Sequence, residues 1–106
     1  MKVLAGAAVE VITPKLPVRL AGYSARMHAA EEVADELTVR ALWLADPDHP
    51  DEPVCLLVFD VLALDRSWSR PIREAVAAEL GISVERVMPS CIHTHGGPSC
   101  QPGTAA

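Results

Sequence analysis

Three short stretches of aliphatic residues, each bounded by turn-forming or charged residues, predict β-strands. They run from Val3 to Ile12, from Leu37 to Ala45 and from Val54 to Phe59. The third stretch is apolar at every position, which is typical of a strand that is covered on both faces. Residues 46–53, between the last two strands, are rich in proline and acidic side chains, so they predict an exposed, hairpin-like connection.

An apolar stripe with a period near 3.6 follows the third strand, because Ile72, Val76 and Leu80 recur on one side of a helix. The expected boundary residues of this helix are Ser69 as its N-cap, Pro71 near its first turn and Gly81 at its end. Residues 84–88 then lead to a last strand. Because a strand, helix, strand order favours a right-handed crossover, the predicted fold class is α/β, with a mixed sheet and one such crossover.

The length of 106 residues suits one small domain, and the apolar half of the composition, with a mean hydropathy of +0.22, is typical of a chain with a core. A net charge of −5 and an isoelectric point near 5.2 argue against nucleic-acid binding, since phosphates attract basic surfaces. No apolar run is long enough to span a membrane, and Met1 to Ala8 lacks the layout of a signal peptide. These features predict a cytoplasmic protein without a transmembrane segment.

Cys55, Cys91 and Cys100 are an odd number of cysteines at irregular spacing, which does not make a disulfide framework and suits a reducing compartment. Cys55 lies within an apolar run, so it is expected to pack in the core. Cys91 and Cys100 are the pair that could form a single bridge.

The segment most suggestive of chemistry contains two histidines, His93 and His95, one residue apart near the end of the predicted last strand. On an extended chain both side chains point to the same face, so both imidazoles can reach one site. Neutral imidazole is a common zinc ligand, and the glycines that follow allow close approach of the backbone. The alternative is a pair of solvated histidines at a strand end, with no metal.

Several short motifs, in this order and spacing, resemble the N-terminal domain of the neutral/alkaline non-lysosomal ceramidases. They are Gly6 with Ile12-Thr13-Pro14, Ala21-Gly22-Tyr23, Asp35-Glu36-Leu37 with Arg40-Ala41-Leu42, Val58-Phe59-Asp60, and His93-Thr94-His95-Gly96-Gly97-Pro98. The resemblance runs from about Lys2 to Pro98, and the histidine segment is its most specific part. Gly96 departs from the pattern, since that family usually has serine at this position.

The resemblance implies that residues 1–106 are an N-terminal segment of a larger domain and that His93 is a Zn²⁺ ligand. It implies that His95 contacts the substrate or stabilises the developing oxyanion, and that Asp60 orients a histidine from a neighbouring strand end. It also brings Tyr23 near the mouth of the site. An ordinary strand-end carboxylate and an ordinary surface loop are the alternatives for Asp60 and Tyr23.

The implied reaction is hydrolysis of the amide bond of N-acyl sphingosine-type lipids by a zinc-activated water. In that family a second histidine, a glutamate and a tyrosine complete the zinc site well downstream of this segment, so residues 1–106 alone are expected to be inactive and to need a C-terminal portion or a partner chain. Two other hypotheses remain open. One is a small closed zinc site made by Cys91, His93, His95 and Cys100. The other is a non-catalytic binding or interaction module that keeps the fold. Residues 101–106 do not resemble a helix or strand that closes a domain, so they are expected to mark an interruption, which separates a segment of a larger domain from such a module.

Overall fold

The structure, a computed structural model, describes residues 2–100 and consists of a four-stranded sheet with one α-helix. Its elements are β1 (Leu4–Val11), β2 (Thr38–Asp46), β3 (His49–Phe59), α1 (Arg66–Leu80), a 3-10 turn (Val84–Arg86) and β4 (Val87–Cys91). The strands lie in the order β1-β2-β3-β4; the first two pairings are antiparallel and the third is parallel. The predicted α/β class, with a mixed sheet and a strand–helix–strand crossover, is confirmed. The interruption predicted at residues 101–106 lies outside the described residues.

The connection between β2 and β3 is shorter than the sequence predicted. Both strands continue into it, so that Pro47 and Asp48 alone form the turn between them. The Asp48 amide donates to a carboxylate oxygen of Asp46 at 2.9 Å, which closes the turn locally. The connection is exposed, as predicted, until Pro53, whose side chain is buried.

Helix α1 begins earlier than predicted. Its N-cap is Asp65, whose carboxylate accepts from the amide nitrogen of Ser67 at 3.0 Å. Ser69 and Pro71 therefore lie inside the helix, and the prediction of Ser69 as N-cap was wrong. The predicted end is confirmed, because Gly81 takes a left-handed conformation there with φ of 66°. No helix in residues 2–100 combines the length and apolar character needed to cross a bilayer.

The core lies between α1 and the face of the sheet that this helix covers. It is centred on Cys55, Leu57, Ala77 and Val87, with Ile72 and Val76 of α1 packed against them. Cys55 is buried, as predicted, and burial raises the pKa of its thiol. The predicted stripe on α1 therefore does face the sheet at its first two positions, whereas Leu80 is exposed.

The opposite face of the sheet has no covering layer among residues 2–100. Leu42, Val54 and Met88, which alternate with core-facing neighbours, are exposed there, and so is Val9 of β1, a strand whose residues are all exposed. The prediction that residues 54–59 are covered on both faces was therefore wrong for this part of the chain. Among residues 2–100, the one α-helix packs on one face of the sheet. The apolar residues on the other face of β3 therefore form part of an uncovered surface.

Candidate functional site

The two histidines lie in a segment that leaves β4 and follows the end of β3. The amide of Ile92 donates to the carbonyl of Phe59, and the amide of His93 donates to the carbonyl of Val61, each at 3.1 Å. These bonds continue the parallel pairing of β4 with β3 for two residues beyond Cys91. The backbone of His93 is thereby fixed at the edge where the two parallel strands end, which is where open α/β sheets place ligands.

A loop from the beginning of the chain holds the far side of this segment. The Ala21 amide donates to the Gly97 carbonyl at 2.9 Å, and the Ser99 amide donates to the Arg19 carbonyl at 3.2 Å. Gly97 also lies against β3, since a Cβ atom at this position would come within 3.0 Å of the Asp60 carbonyl oxygen. A side chain here would crowd that oxygen, so glycine favours the close approach. The histidine segment is therefore clamped between β3 and residues 19–21.

His93 departs from the extended conformation that the sequence predicted. Its φ is 68°, in the left-handed region, and the regular strand has already ended at Cys91. The ring Nδ1 lies 3.0 Å from the carbonyl oxygen of Leu62, while the residue itself is exposed. Because a carbonyl oxygen can only accept, a hydrogen bond in this contact requires the proton on Nδ1, and a neutral ring in that tautomer presents a lone pair on Nε2.

His95 is held by rings on two sides and by a glycine on a third. Its ring centroid lies 4.6 Å from that of Tyr23 and 5.3 Å from that of His93, the second pair meeting nearly edge to face at 79°. A Cβ atom on Gly22 would lie 2.4 Å from His95 Nδ1, so no other residue fits there without displacement. This Nδ1 atom is buried, with no hydrogen-bond partner among the described residues. The two imidazoles are thus brought together by a turn and not by strand alternation.

Tyr23 links His95 to a cation. The Arg26 guanidinium lies 4.8 Å from the centre of the Tyr23 ring and donates from Nη1 to the Ala21 carbonyl at 3.0 Å. A hollow of about 320 Å³ adjoins them, lined by Ala21, Gly22, Tyr23, Ser24, Leu62, Ala63, Ser99 and Cys100. Tyr23 therefore contacts the His95 ring and also borders this hollow.

Asp60 is buried, and its hydrogen bonds go to β2. One carboxylate oxygen accepts from the amide of Thr38 at 2.8 Å and from its hydroxyl at 2.9 Å. The acceptor found at His93 is the Leu62 carbonyl. The two hydrogen bonds from Thr38 fasten the end of β3 to the start of β2, and the role of Asp60 in orienting a histidine stays a prediction.

Cys91 and Cys100 are free thiols on either side of the histidine segment. Burial raises the pKa of both, and the nearby charge of Cys91 raises that of Cys100 further, so both favour the protonated form. Residues 2–100 contain no group of three or more His, Cys, Asp or Glu side chains arranged to hold a metal ion. The closed cluster of two cysteines and two histidines is therefore not assembled in this part of the chain.

Two contributors to the site were missed in the sequence. Gly22, which makes room for His95, carries a signal, since a glycine directly before an aromatic residue in a loop suggests a sharp turn or the close approach of another group. The Leu62 carbonyl carries none, because any residue type offers that oxygen.

No family model matches the chain, and no curated protein matches it either. The functional assignment therefore depends on the geometry of the two histidines and on the motif resemblance.

Proposed function

We propose that this chain supplies the first metal-binding corner of a zinc-dependent amidohydrolase resembling the neutral ceramidases. The observation that carries the proposal is the contact of 3.0 Å between His93 Nδ1 and the Leu62 carbonyl oxygen. Metal-binding histidines usually donate their other ring N–H to such an acceptor, which fixes the tautomer and the ring orientation. His93 is also exposed, so its Nε2 lone pair is open to a metal ion.

His95 suits a different role. A protonated Nδ1 would be a buried donor without a partner, which proteins rarely tolerate, so the proton of the neutral ring belongs on Nε2. With that assignment, His95 can donate a hydrogen bond from Nε2, while the neighbouring His93 offers the lone pair of its Nε2 to a metal ion. In the proposed reaction His95 hydrogen-bonds the amide carbonyl oxygen and stabilises the negative charge that develops there.

The residues present fit part of a zinc site. A catalytic zinc takes three protein ligands and keeps one position open, whereas residues 2–100 offer no set of three. His93 is the ligand in our proposal, and the remaining ligands come from outside the described residues. When bound, zinc activates a water molecule and polarises the amide carbonyl.

The proposed substrate is the amide bond of an N-acyl sphingosine-type lipid. Water adds its oxygen to the acyl carbon, the C–N bond breaks, and the nitrogen leaves with a proton as the free amine, while the acyl group leaves as a fatty acid. The parts assigned to this chain are to bind the metal through His93 and to orient the carbonyl through His95. Tyr23 keeps the His95 ring in place and borders the hollow of about 320 Å³ that would admit the amide.

Metal titration of the purified chain tests the metal half of this proposal. Zinc should bind weakly, and His93→Ala should weaken binding by more than the roughly tenfold loss typical of removing an outer-shell partner. His95→Ala should weaken it less, and His49→Ala, in the exposed turn region at the start of β3, is the matched control. Equal losses from all three variants, or no loss from any, would contradict the assignment.

An assay of amide hydrolysis tests the catalytic part of this proposal. A zinc-loaded polypeptide that contains this chain together with the remaining ligands should release fatty acid from N-acyl sphingosine, and residues 1–106 without those ligands should not. His95→Ala should lower kcat while leaving metal content nearly unchanged, because His95 acts on the carbonyl and not on the metal. Zinc-loaded polypeptide without amide hydrolysis would contradict the assigned reaction.

A further inference from the structure

The sheet face that α1 leaves uncovered is an apolar surface of the size of a protein interface. This bare face is made by alternate residues of the four strands, among them Val9, Val11, Leu42, Leu44, Val54 and Met88. Val9 and Met88 are 60% and 58% exposed, which is unusual for strand residues of this type. Four strands about 4.8 Å apart and about eight residues long at about 3.3 Å each span roughly 500 Å² in projection.

One cation lies within the bare face. Arg40 stands in register between Val9 of β1 and Val58 of β3, and its neighbours Val39 and Ala41 pack toward the helix, so Arg40 is on the bare side. Arg40 is exposed to solvent. Any layer that covers the face must supply Arg40 with a carboxylate, since an unpaired buried charge is strongly destabilising.

The other end of the same face is acidic and concave. A hollow of about 640 Å³ lies there, bordered by Leu44 and Val54 of the bare face and by Asp46, Asp48 and Glu52, with Lys2 also on its wall. Asp46 is six residues from Arg40 along β2, a distance of about 20 Å in an extended strand. The bare face is therefore cationic at one end, at Arg40, and acidic and hollow at the other.

We propose that two copies of this chain pack bare face to bare face, with Arg40 of each copy entering the acidic hollow of the other. A two-fold axis crossing the strands between Leu42 and Leu44 produces this match, because it reverses the direction of β2 and lays one end of the face over the other. The apolar residues between the two charged ends then cover one another. The contact between Arg40 and the acidic hollow is formed twice by symmetry.

The area buried between the two copies determines the expected affinity of the dimer. Two faces of roughly 500 Å² give roughly 1,000 Å² in total, which is at the lower limit for a specific protein interface. The dimer should therefore be in a concentration-dependent equilibrium with the monomer, with a dissociation constant in the micromolar range. This inference is independent of zinc and of the proposed amidohydrolase function.

Sedimentation equilibrium of the chain across the micromolar range tests the proposal. The wild type should fit a monomer–dimer equilibrium. Arg40→Glu and Glu52→Arg should each weaken the dimer by about tenfold or more, because each creates two like-charge contacts. The double variant should recover most of the wild-type affinity, since the charges are exchanged. Arg66→Glu, at the exposed start of α1 on the opposite side of the sheet, is the matched control and should have no effect.

Circular dichroism of every variant shows whether the fold is kept, and Leu42→Glu at the centre of the face gives an independent disruption. A wild type that stays monomeric throughout would overturn the proposal, and the bare face would then belong to a different partner. Assembly beyond the dimer, or failure of the double variant to recover affinity while both single variants are folded, would overturn it as well.

Discussion

The crossover unit of β3, α1 and β4 lies next to the histidine corner, which consists of residues 92–97 and the loop residues 21–23 that contact them. The two regions are stabilised in different ways. The crossover unit buries a small core in which Leu57 and Val87 lie under the helix. The histidine corner has little apolar burial and is held by backbone hydrogen bonds, ring contacts and one glycine. Stability should therefore depend on the crossover unit, whereas the orientation of His95 should depend on a few contacts that add little to stability.

The largest expected effect concerns the core. Leu57→Ala should lower the free energy of unfolding by about 2–5 kcal/mol, because it removes buried methyl groups and leaves a cavity under α1. Leu42→Ala removes the same atoms from the bare face, where the side chain is 39% exposed, and should cost clearly less. Urea unfolding at a concentration where the chain is monomeric measures both. Similar losses of unfolding free energy in the two variants would contradict the conclusion that one face of the sheet is buried and the other is open.

An intermediate effect concerns the glycine behind His95. Gly22→Ala should cost about 1–3 kcal/mol, because it combines a positive φ with a Cβ atom 2.4 Å from the histidine ring. Gly81→Ala is the control, since Gly81 also has a positive φ but a Cβ atom there would meet nothing within 4 Å. The Gly22 variant should shift the ring NMR signals of His95, and the Gly81 variant should not. Unchanged His95 signals in the Gly22 variant would contradict the packing described.

The smallest effect concerns the start of α1. The side-chain and backbone hydrogen bonds from Ser67 lower the pKa of Asp65. A lowered pKa in the folded state means that this contribution to stability is present above the ordinary carboxyl pKa and is lost as the pH falls through the folded value. Asp65→Ala should lower the melting temperature by a few degrees at neutral pH and flatten its fall in acid. Ser69→Ala, at the N-cap predicted from sequence, should do neither.

Much of the fold could be predicted because its signals are local. The spacing of Ile72 and Val76 indicates a helix face, and Gly81 marks the end of the helix, whatever the rest of the chain does. The helix start was harder, since Asp65, Ser67 and Ser69 are all residues that favour an N-cap. What decides it is the Asp65 carboxylate accepting from Ser67, a geometric detail that composition does not contain.

The histidine corner could be predicted only in its residue types. His93 and His95 were expected to meet because of strand alternation, but the strand ends at Cys91 and the rings meet through a turn with a left-handed His93. The contacts that hold them, to Leu62 and to Gly22, join residues that are far apart in sequence. Local periodicity does not encode such contacts. The sequence could therefore predict which residue types form the site, but not how their side chains are held.

The orientation of His93 is tested most directly by long-range ¹H–¹⁵N NMR of the histidine rings at pH 8, where an ordinary imidazole is neutral. We predict that His93 carries its proton on Nδ1, that His95 carries its proton on Nε2, and that added Zn²⁺ shifts the Nε2 signal of His93 before those of His28 and His49. A proton on Nε2 of His93, or equal zinc shifts at all four histidines, would contradict the assignment of His93 as the metal ligand.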